Sequence, residues 1–243
     1  MLESQTILFI EDLFYTKMKT ILVIGLYRSG TNYLQTLIEN NLKVSKLTIN
    51  TKTFNFPNKH AVCENQLYHY TPNLHLVLTY KNPYKWVDSL VRQSYDLVTE
   101  YELGYENGHT PLYITYDDNL LEFINKPKVK VSLEKVCNLY NKFFTFWHTK
   151  IHEYNHDIVY HNDLIQNPSA YINHISHKFQ IPHKTKKHLE PDEVDGSRCF
   201  DSSVRDYYLD EFKTENLSDE QLDVIKRITA HAPNLRSLSE YRL

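Results

Sequence analysis

The sequence predicts an α/β fold, a three-layer α/β/α domain with a mainly parallel central sheet. Three observations predict it. The apolar run Ile21-Leu22-Val23-Ile24 passes through a short loop, Gly25 to Gly30, into the helical spacing of Leu34, Leu37 and Ile38. The run Leu74 to Tyr80, LHLVLTY, passes through Lys81-Asn82-Pro83 into Trp86, Leu90 and Val91 in the same way. At 243 residues and 41% hydrophobic side chains, the chain can bury the core of one large domain, and no boundary divides residues 1–243.

Taken in order, residues 1–17 carry no recognisable motif and read as an N-terminal extension, although Ile7, Leu8, Ile10, Leu13 and Phe14 also suit a short amphipathic helix. The first helix is expected from about Gly30 to Asn41. Val44 to Asn50 suits a strand, and Thr51 to Lys59, with Pro57, an irregular connection. Beyond Leu74 to Tyr80, Asn82 is a good N-cap and Pro83 a good first helical residue, which predicts a helix to about Glu100. Leu103 to Lys130 reads as an insertion with one short helix near Leu120. Ser132 is the expected cap of a long helix over Leu133 to Tyr154, whose Val136, Tyr140, Phe143, Phe144, Trp147 and Ile151 form a packing stripe. Asp157 to His161 is a strand, and Asn167-Pro168 opens a helix through Phe179. Ile181 to Asp201 is loop-rich. Ser218 and Gln221 make a capping box for a terminal helix to about His231.

Composition narrows the partners. A net charge of -3 argues against a bulk nucleic-acid binder, and the Lys184 to His188 run, KTKKH, reads as a solvated loop. No apolar stretch approaches the ~20 residues of a membrane span, and the start lacks a signal-peptide pattern. Cys63, Cys137 and Cys199 are too scattered for a disulfide framework or a CxxC metal site. A cytoplasmic location is therefore expected. His148, His152 and His156 recur every four residues, as on one helix face, but no HExxH glutamate accompanies them and no metal is expected.

The loop between the first strand and helix places backbone N–H groups at the positive end of a helix dipole, which suits it to phosphate or sulfate. Its glycine spacing is that of a Walker A loop, and the fold expected is P-loop NTPase-like. The Walker lysine is missing, because Thr31 directly follows Gly30. No apolar strand ends in an aspartate that would hold magnesium, so a nucleoside triphosphatase is disfavoured. The positive charge lies inside the loop, at Arg28.

Three segments together resemble a known family. GLYRSGTNYL, Gly25 to Leu34, looks like the 5′-phosphosulfate loop of sulfotransferases that use 3′-phosphoadenosine 5′-phosphosulfate (PAPS), with Arg28 in the basic position. LVLTYKNPYKWVDSL, Leu76 to Leu90, resembles the family's 3′-phosphate segment, with Lys81 for the usual arginine and Ser89 eight residues on. IVYHNDLIQNP, Ile158 to Pro168, resembles the strand and Glu-Asp-Leu turn that follow, with Asn162 in the glutamate's place.

The resemblance implies a sulfotransferase that uses PAPS as co-substrate without a metal. Ser29, Gly30, Thr31 and Asn32 would bind the 5′-phosphosulfate through backbone amides and the Thr31 hydroxyl, and Arg28 would stabilise charge on the bridging and sulfuryl oxygens. Lys81 and Ser89 would hold the 3′-phosphate. Arg198 and Arg205 are candidates to close on it, with solvated surface charges as the alternative. His60, beside Lys59, is the candidate base, as a histidine near neutral pKa suits that role. The acceptor would carry a hydroxyl or amine, on a carbohydrate, lipid, peptide or small molecule. A nucleotide-binding kinase or triphosphatase and a non-catalytic nucleotide-binding module are the alternatives.

Overall fold

The computed structural model describes residues 19–45, 59–60, 64, 67, 74–92, 120–123, 126–189, 193–194, 197–198, 202–210, 213–235 and 238–239. In chain order the elements are β1 (Thr20–Ile24), α1 (Thr31–Asn41), β2 (Leu74–Tyr80), α2 (Pro83–Arg92), β3 (Leu120–Phe123) and β4 (Lys126–Ser132). Then come α3 (Leu133–Lys150), a 3₁₀ turn (Ile151–Glu153), β5 (Asn155–Tyr160), α4 (His161–Gln166) and α5 (Pro168–Lys178). The chain continues with β6 (Glu193–Val194), β7 (Ser197–Arg198), α6 (Ser202–Leu209) and α7 (Asp219–Thr229).

Among the described residues β1, β2 and β5 form an open parallel sheet with β2 in the middle. Side chains alternate across these strands, so each face carries its own core. Leu22, Ile24, Leu76, Leu78 and Ile158 pack with Trp86 and Leu90 of α2, Val136 and Phe144 of α3 and Ile225 of α7. Ile21, Val23, Val77 and Val159 pack with Leu34, Leu37 and Ile38 of α1 and with Tyr171, Ile172 and Ile175 of α5. Both faces being covered explains why the strands read as continuous apolar runs. A buried carboxylate fixes α5: Asp157 of β5 accepts from Tyr171 at 2.9 Å, His174 at 3.2 Å and Lys178 at 2.9 Å.

Local chemistry sets the helix ends. Ser132 Oγ accepts from the Lys135 amide, Asn167 Oδ1 accepts from the Ala170 amide with Pro168 opening α5, and Ser218 with Gln221 forms a capping box. Asn82 Oδ1 accepts from the Tyr84 amide at 2.9 Å, and α2 is described as far as Arg92.

Four expectations change. In place of a short helix near Leu120, β3 and β4 pair antiparallel, because Val129 and Val131 alternate with lysines at the period of a strand and Val131 and Leu121 are buried. The long helix ends at Lys150, so His152 falls in the 3₁₀ turn and His156 in β5, and the four-residue histidine spacing does not describe one helix face. Between the strand ending at Tyr160 and the helix opened by Pro168 lies α4, which sequence reading leaves out. Within 181–201, Glu193–Val194 pairs antiparallel with Ser197–Arg198, and directly beyond it Ser202–Leu209 is helical. Residues 1–17, most of the strand expected over 44–50 and nearly all of the connection over 51–59 lie outside the described residues; Lys43 to Ser45 are not in a strand.

Candidate anion-binding site

The ends of β1, β2 and β5 lie side by side in a parallel sheet, so the loops and helix starts that follow them meet at one edge. That edge is where open α/β sheets bind ligands. Gly25 opens the first loop where nothing larger fits: a Cβ there would lie 2.5 Å from Ser29 Oγ and 2.8 Å from Thr79 O. Arg28 at φ 65° and Gly30 at φ 86° both take the left-handed conformation, which turns the chain sharply into α1.

Side chains of the second unit hold three consecutive loop carbonyls. Trp86 Nε1 donates to Tyr27 O at 2.7 Å, Lys81 Nζ to Arg28 O at 3.4 Å and Thr79 Oγ1 to Ser29 O at 3.1 Å. In a trans peptide the N–H lies opposite the preceding C=O, so the Gly30 amide faces away from Thr79. The first-turn amides of an α-helix have no intrahelical acceptors. Gly30, the N-cap of α1, supplies no side-chain cap and no acidic residue occupies the first turn. This is the arrangement expected of an anion-binding helix start.

Ser29 plays a different part from the one the sequence suggests. Its amide and its hydroxyl both bond to Leu26 O, at 3.1 Å and 2.6 Å, so it shapes the loop from inside. Thr31 is buried at the start of α1, and Asn32 Oδ1 accepts a hydrogen bond from Lys59.

Lys81 is 1% exposed, and its Nζ also donates to Ser89 Oγ at 2.7 Å. The residue after β2 and the last turn but one of α2 thus meet, as the eight-residue spacing of Lys81 and Ser89 requires. Tyr140 of α3 anchors the Lys81 carbonyl at 2.7 Å. Burial, with the charges of Arg28 and Arg92 adding to it, lowers the Lys81 ammonium to about 8.

Set against family models, curated proteins and solved structures, the chain matches none.

His60 lies beside the same loop. The Gly25 amide donates to Lys59 O at 3.1 Å, and His60 Nδ1 lies 2.5 Å from Gly25 O. That carbonyl can only accept, which assigns the proton to Nδ1 and leaves Nε2 with its lone pair. Tyr27 stacks on the imidazole with centroids 3.8 Å apart. Burial, with the Lys59 charge, holds His60 down at about 3 rather than near neutrality as the sequence predicts. It is a neutral hydrogen-bonding group here.

Of the two C-terminal arginine candidates, only the side chain of Arg205 is among the described residues. Arg205 donates through Nε and Nη2 to Ile165 O, at 3.2 Å and 3.0 Å, and so clasps the end of α4. Arg198 lies in β7, and its side chain falls outside the described residues.

Two residues at the site escaped the sequence reading. His161, directly after β5, presses its ring against Gly30, where an added Cβ would meet His161 Cδ2 at 2.6 Å. It is 2% exposed, and its Nδ1 is buried without a hydrogen-bond partner among the described residues. Burial, then Lys81, holds it well below the usual histidine range. Tyr208 of α6 sits with its ring over Lys81, Nζ to centroid 4.2 Å, and 5.1 Å from the His161 ring. A polar residue one step past a strand was a usable signal for His161; nothing local marks Tyr208.

Proposed function

We propose that the chain is a sulfotransferase that moves a sulfuryl group from PAPS to a hydroxyl or amine acceptor, on a P-loop-like α/β scaffold. The observation that carries this reading is the junction at Lys81: one buried ammonium reaches Ser89 at 2.7 Å and the Arg28 carbonyl at 3.4 Å. It joins a capless helix start to a buried cation at the end of the neighbouring strand. Two anion sites on adjacent strands suit a nucleotide with phosphates at both ends. The resemblance of the three segments supplies the particular nucleotide.

The residues present fit such a ligand. Gly30 has no side chain to obstruct the helix start, His161 Nδ1 is a buried polar atom with no hydrogen-bond partner among the described residues, and Lys81 is a cation enclosed by the fold. In the transfer, a bond forms between the acceptor oxygen and sulfur while the bond from sulfur to the 5′-phosphate oxygen breaks. Adenosine 3′,5′-bisphosphate leaves, and the acceptor proton passes to a base. Arg28 and the first-turn amides of α1 stabilise charge on the transferring group. His60 offers Nε2 as the base, and a dianion bound beside it raises its proton affinity from the low value of the empty site.

Calorimetry tests the assignment. Adenosine 3′,5′-bisphosphate should bind tightly without magnesium, and PAPS should be consumed in the presence of an acceptor from a panel of sugars, lipids, peptides and small alcohols. Magnesium-dependent ATP binding with no bisphosphate binding would overturn it. The low proton affinity of His60 favours one second reading, a module that binds the nucleotide without turning it over. Tight bisphosphate binding with no transfer to any acceptor separates the two.

A further inference from the structure

Helix α6 presents two adjacent tyrosines to two different neighbours. The Tyr207 hydroxyl donates to buried Asp88 of α2, and Lys85 Nζ lies 3.6 Å from the Tyr207 ring centroid and donates to Tyr207 O at 2.5 Å. Asp88 also accepts from the amides of Glu215, at 3.2 Å, and Asn216, at 2.9 Å. On the α4 side, Asn162 Nδ2 donates to Tyr208 O at 2.7 Å, and Arg205 clasps Ile165 O. The end of α6 is therefore a brace between α2 and α4, and Tyr208 has little freedom to be anywhere but over Lys81.

The donors beside Lys81 can be counted. A hydroxyl has one proton, and Ser89 gives its own to Lys85 O at 2.6 Å while accepting from Lys81. A terminal phosphate seated on Lys81 has three oxygens, and a hydroxyl donor to it has to come from a side chain other than Ser89. The Tyr208 ring lies over Lys81, with Nζ 4.2 Å from its centroid, so its phenol stands beside any phosphate that Lys81 holds.

We infer that Tyr208 is a specificity-determining residue: its phenol donates to a phosphate monoester bound at Lys81, so that the site selects a nucleotide bearing a 3′-phosphate over the same nucleotide lacking it. The inference rests on the sulfotransferase reading of the site. The surroundings strengthen the donor. Lys81 first, then Arg92 and Arg28, lower the Tyr208 phenol to about 8, and a more acidic hydroxyl makes a stronger bond to an anion. The remaining titratable neighbours, His161 and Tyr207, contribute a neutral ring and a phenol held protonated against Asp88. A phosphate dianion at Lys81 opposes ionisation of Tyr208, so binding should return a proton to it.

The experiment compares adenosine 3′,5′-bisphosphate with adenosine 5′-monophosphate by calorimetry, on the full chain and on Tyr208→Phe. Phenylalanine keeps the ring and the backbone bond to Asn162. The full chain should prefer the bisphosphate, and Tyr208→Phe should lose roughly tenfold of that preference, one charge-assisted hydrogen bond, with monophosphate affinity unchanged. In parallel, the ultraviolet phenolate band near pH 8, read as full chain minus Tyr208→Phe, should fall when the bisphosphate is added. An unchanged preference in Tyr208→Phe, tighter bisphosphate binding by it, or a phenolate band that rises on binding overturns the inference and leaves the sulfotransferase reading standing. A full chain that does not distinguish the two nucleotides overturns both.

Discussion

Replacing Lys81 with methionine should make the protein more stable and less able to bind. The unfolded amine has its ordinary value of 10.5 and the folded one about 8. That gap, at about 1.4 kcal/mol for each tenfold, means the buried charge costs the fold about 3 kcal/mol at neutral pH. Methionine keeps the stem and removes the charge, but loses the bonds to Ser89 and Arg28 O, about 1 kcal/mol each. The net gain is about 1 kcal/mol, a rise in Tm of roughly 2–4 °C for a chain of this size. The sign with pH is fixed. The folded value is the lower one, so the gain is complete below about 8 and fades as pH rises toward 10.5, where the unfolded amine also loses its proton. Binding moves the other way: loss of a charged contact to phosphate, about 1.5–3 kcal/mol, should weaken bisphosphate affinity by about 10- to 150-fold. Scanning calorimetry against pH and titration calorimetry read the two halves. A Lys81→Met protein with lower Tm below pH 8 refutes the cost assigned to the charge, and one with unchanged affinity refutes its role at the anion.

Further outcomes follow from other contacts. His60→Gln should abolish turnover of PAPS while leaving bisphosphate affinity within about twofold, since the amide can still occupy the space beside Tyr27; wild-type turnover would remove His60 from the mechanism. The pH profile of kcat/KM, which reports the free enzyme, should show no rise near 6.5, because His60 is already deprotonated above about 3, and should fall through about 8 as Lys81 loses its proton. Gly30→Ala should weaken binding sharply, because alanine at φ 86° costs about 1–2 kcal/mol and its Cβ would meet His161 at 2.6 Å; adding His161→Ala relieves the clash but not the strain, so only partial recovery is expected. Asp88→Ala strands the buried Tyr207 hydroxyl, at about 1–3 kcal/mol, and takes the acceptor from the amides of Glu215 and Asn216, which solvent can reach, so Tm should fall by about 4–8 °C.

The parts of this fold that sequence reading reached are those whose signals are local. Gly25 to Gly30, the Asn82-Pro83 and Asn167-Pro168 starts and the Ser218 box each carry their reason within a few residues, and the eight-residue interval between Lys81 and Ser89 spans one strand end and one helix. The hairpin over Leu120 to Ser132 was hidden because its alternation, Lys128-Val129-Lys130-Val131, is short and follows a proline. The position of Tyr208 depends on Asn162 and, through Tyr207, on Asp88, far away in the chain, and no spacing encodes that. The low proton affinity of His60 comes from enclosure by Tyr27 and the charge on Lys59, which a residue type cannot report.

The three loop carbonyls held by Trp86, Lys81 and Thr79 make the glycine loop a poor candidate for transplantation. Its left-handed turns at Arg28 and Gly30 are held open from outside by a strand and helix that lie fifty residues further along. Grafted onto another strand and helix without those three side chains, the ten residues would keep their letters and lose their shape. Any search or design that treats the loop as a self-contained module is therefore working with half of the object; the transferable part is the pair of adjacent strand ends.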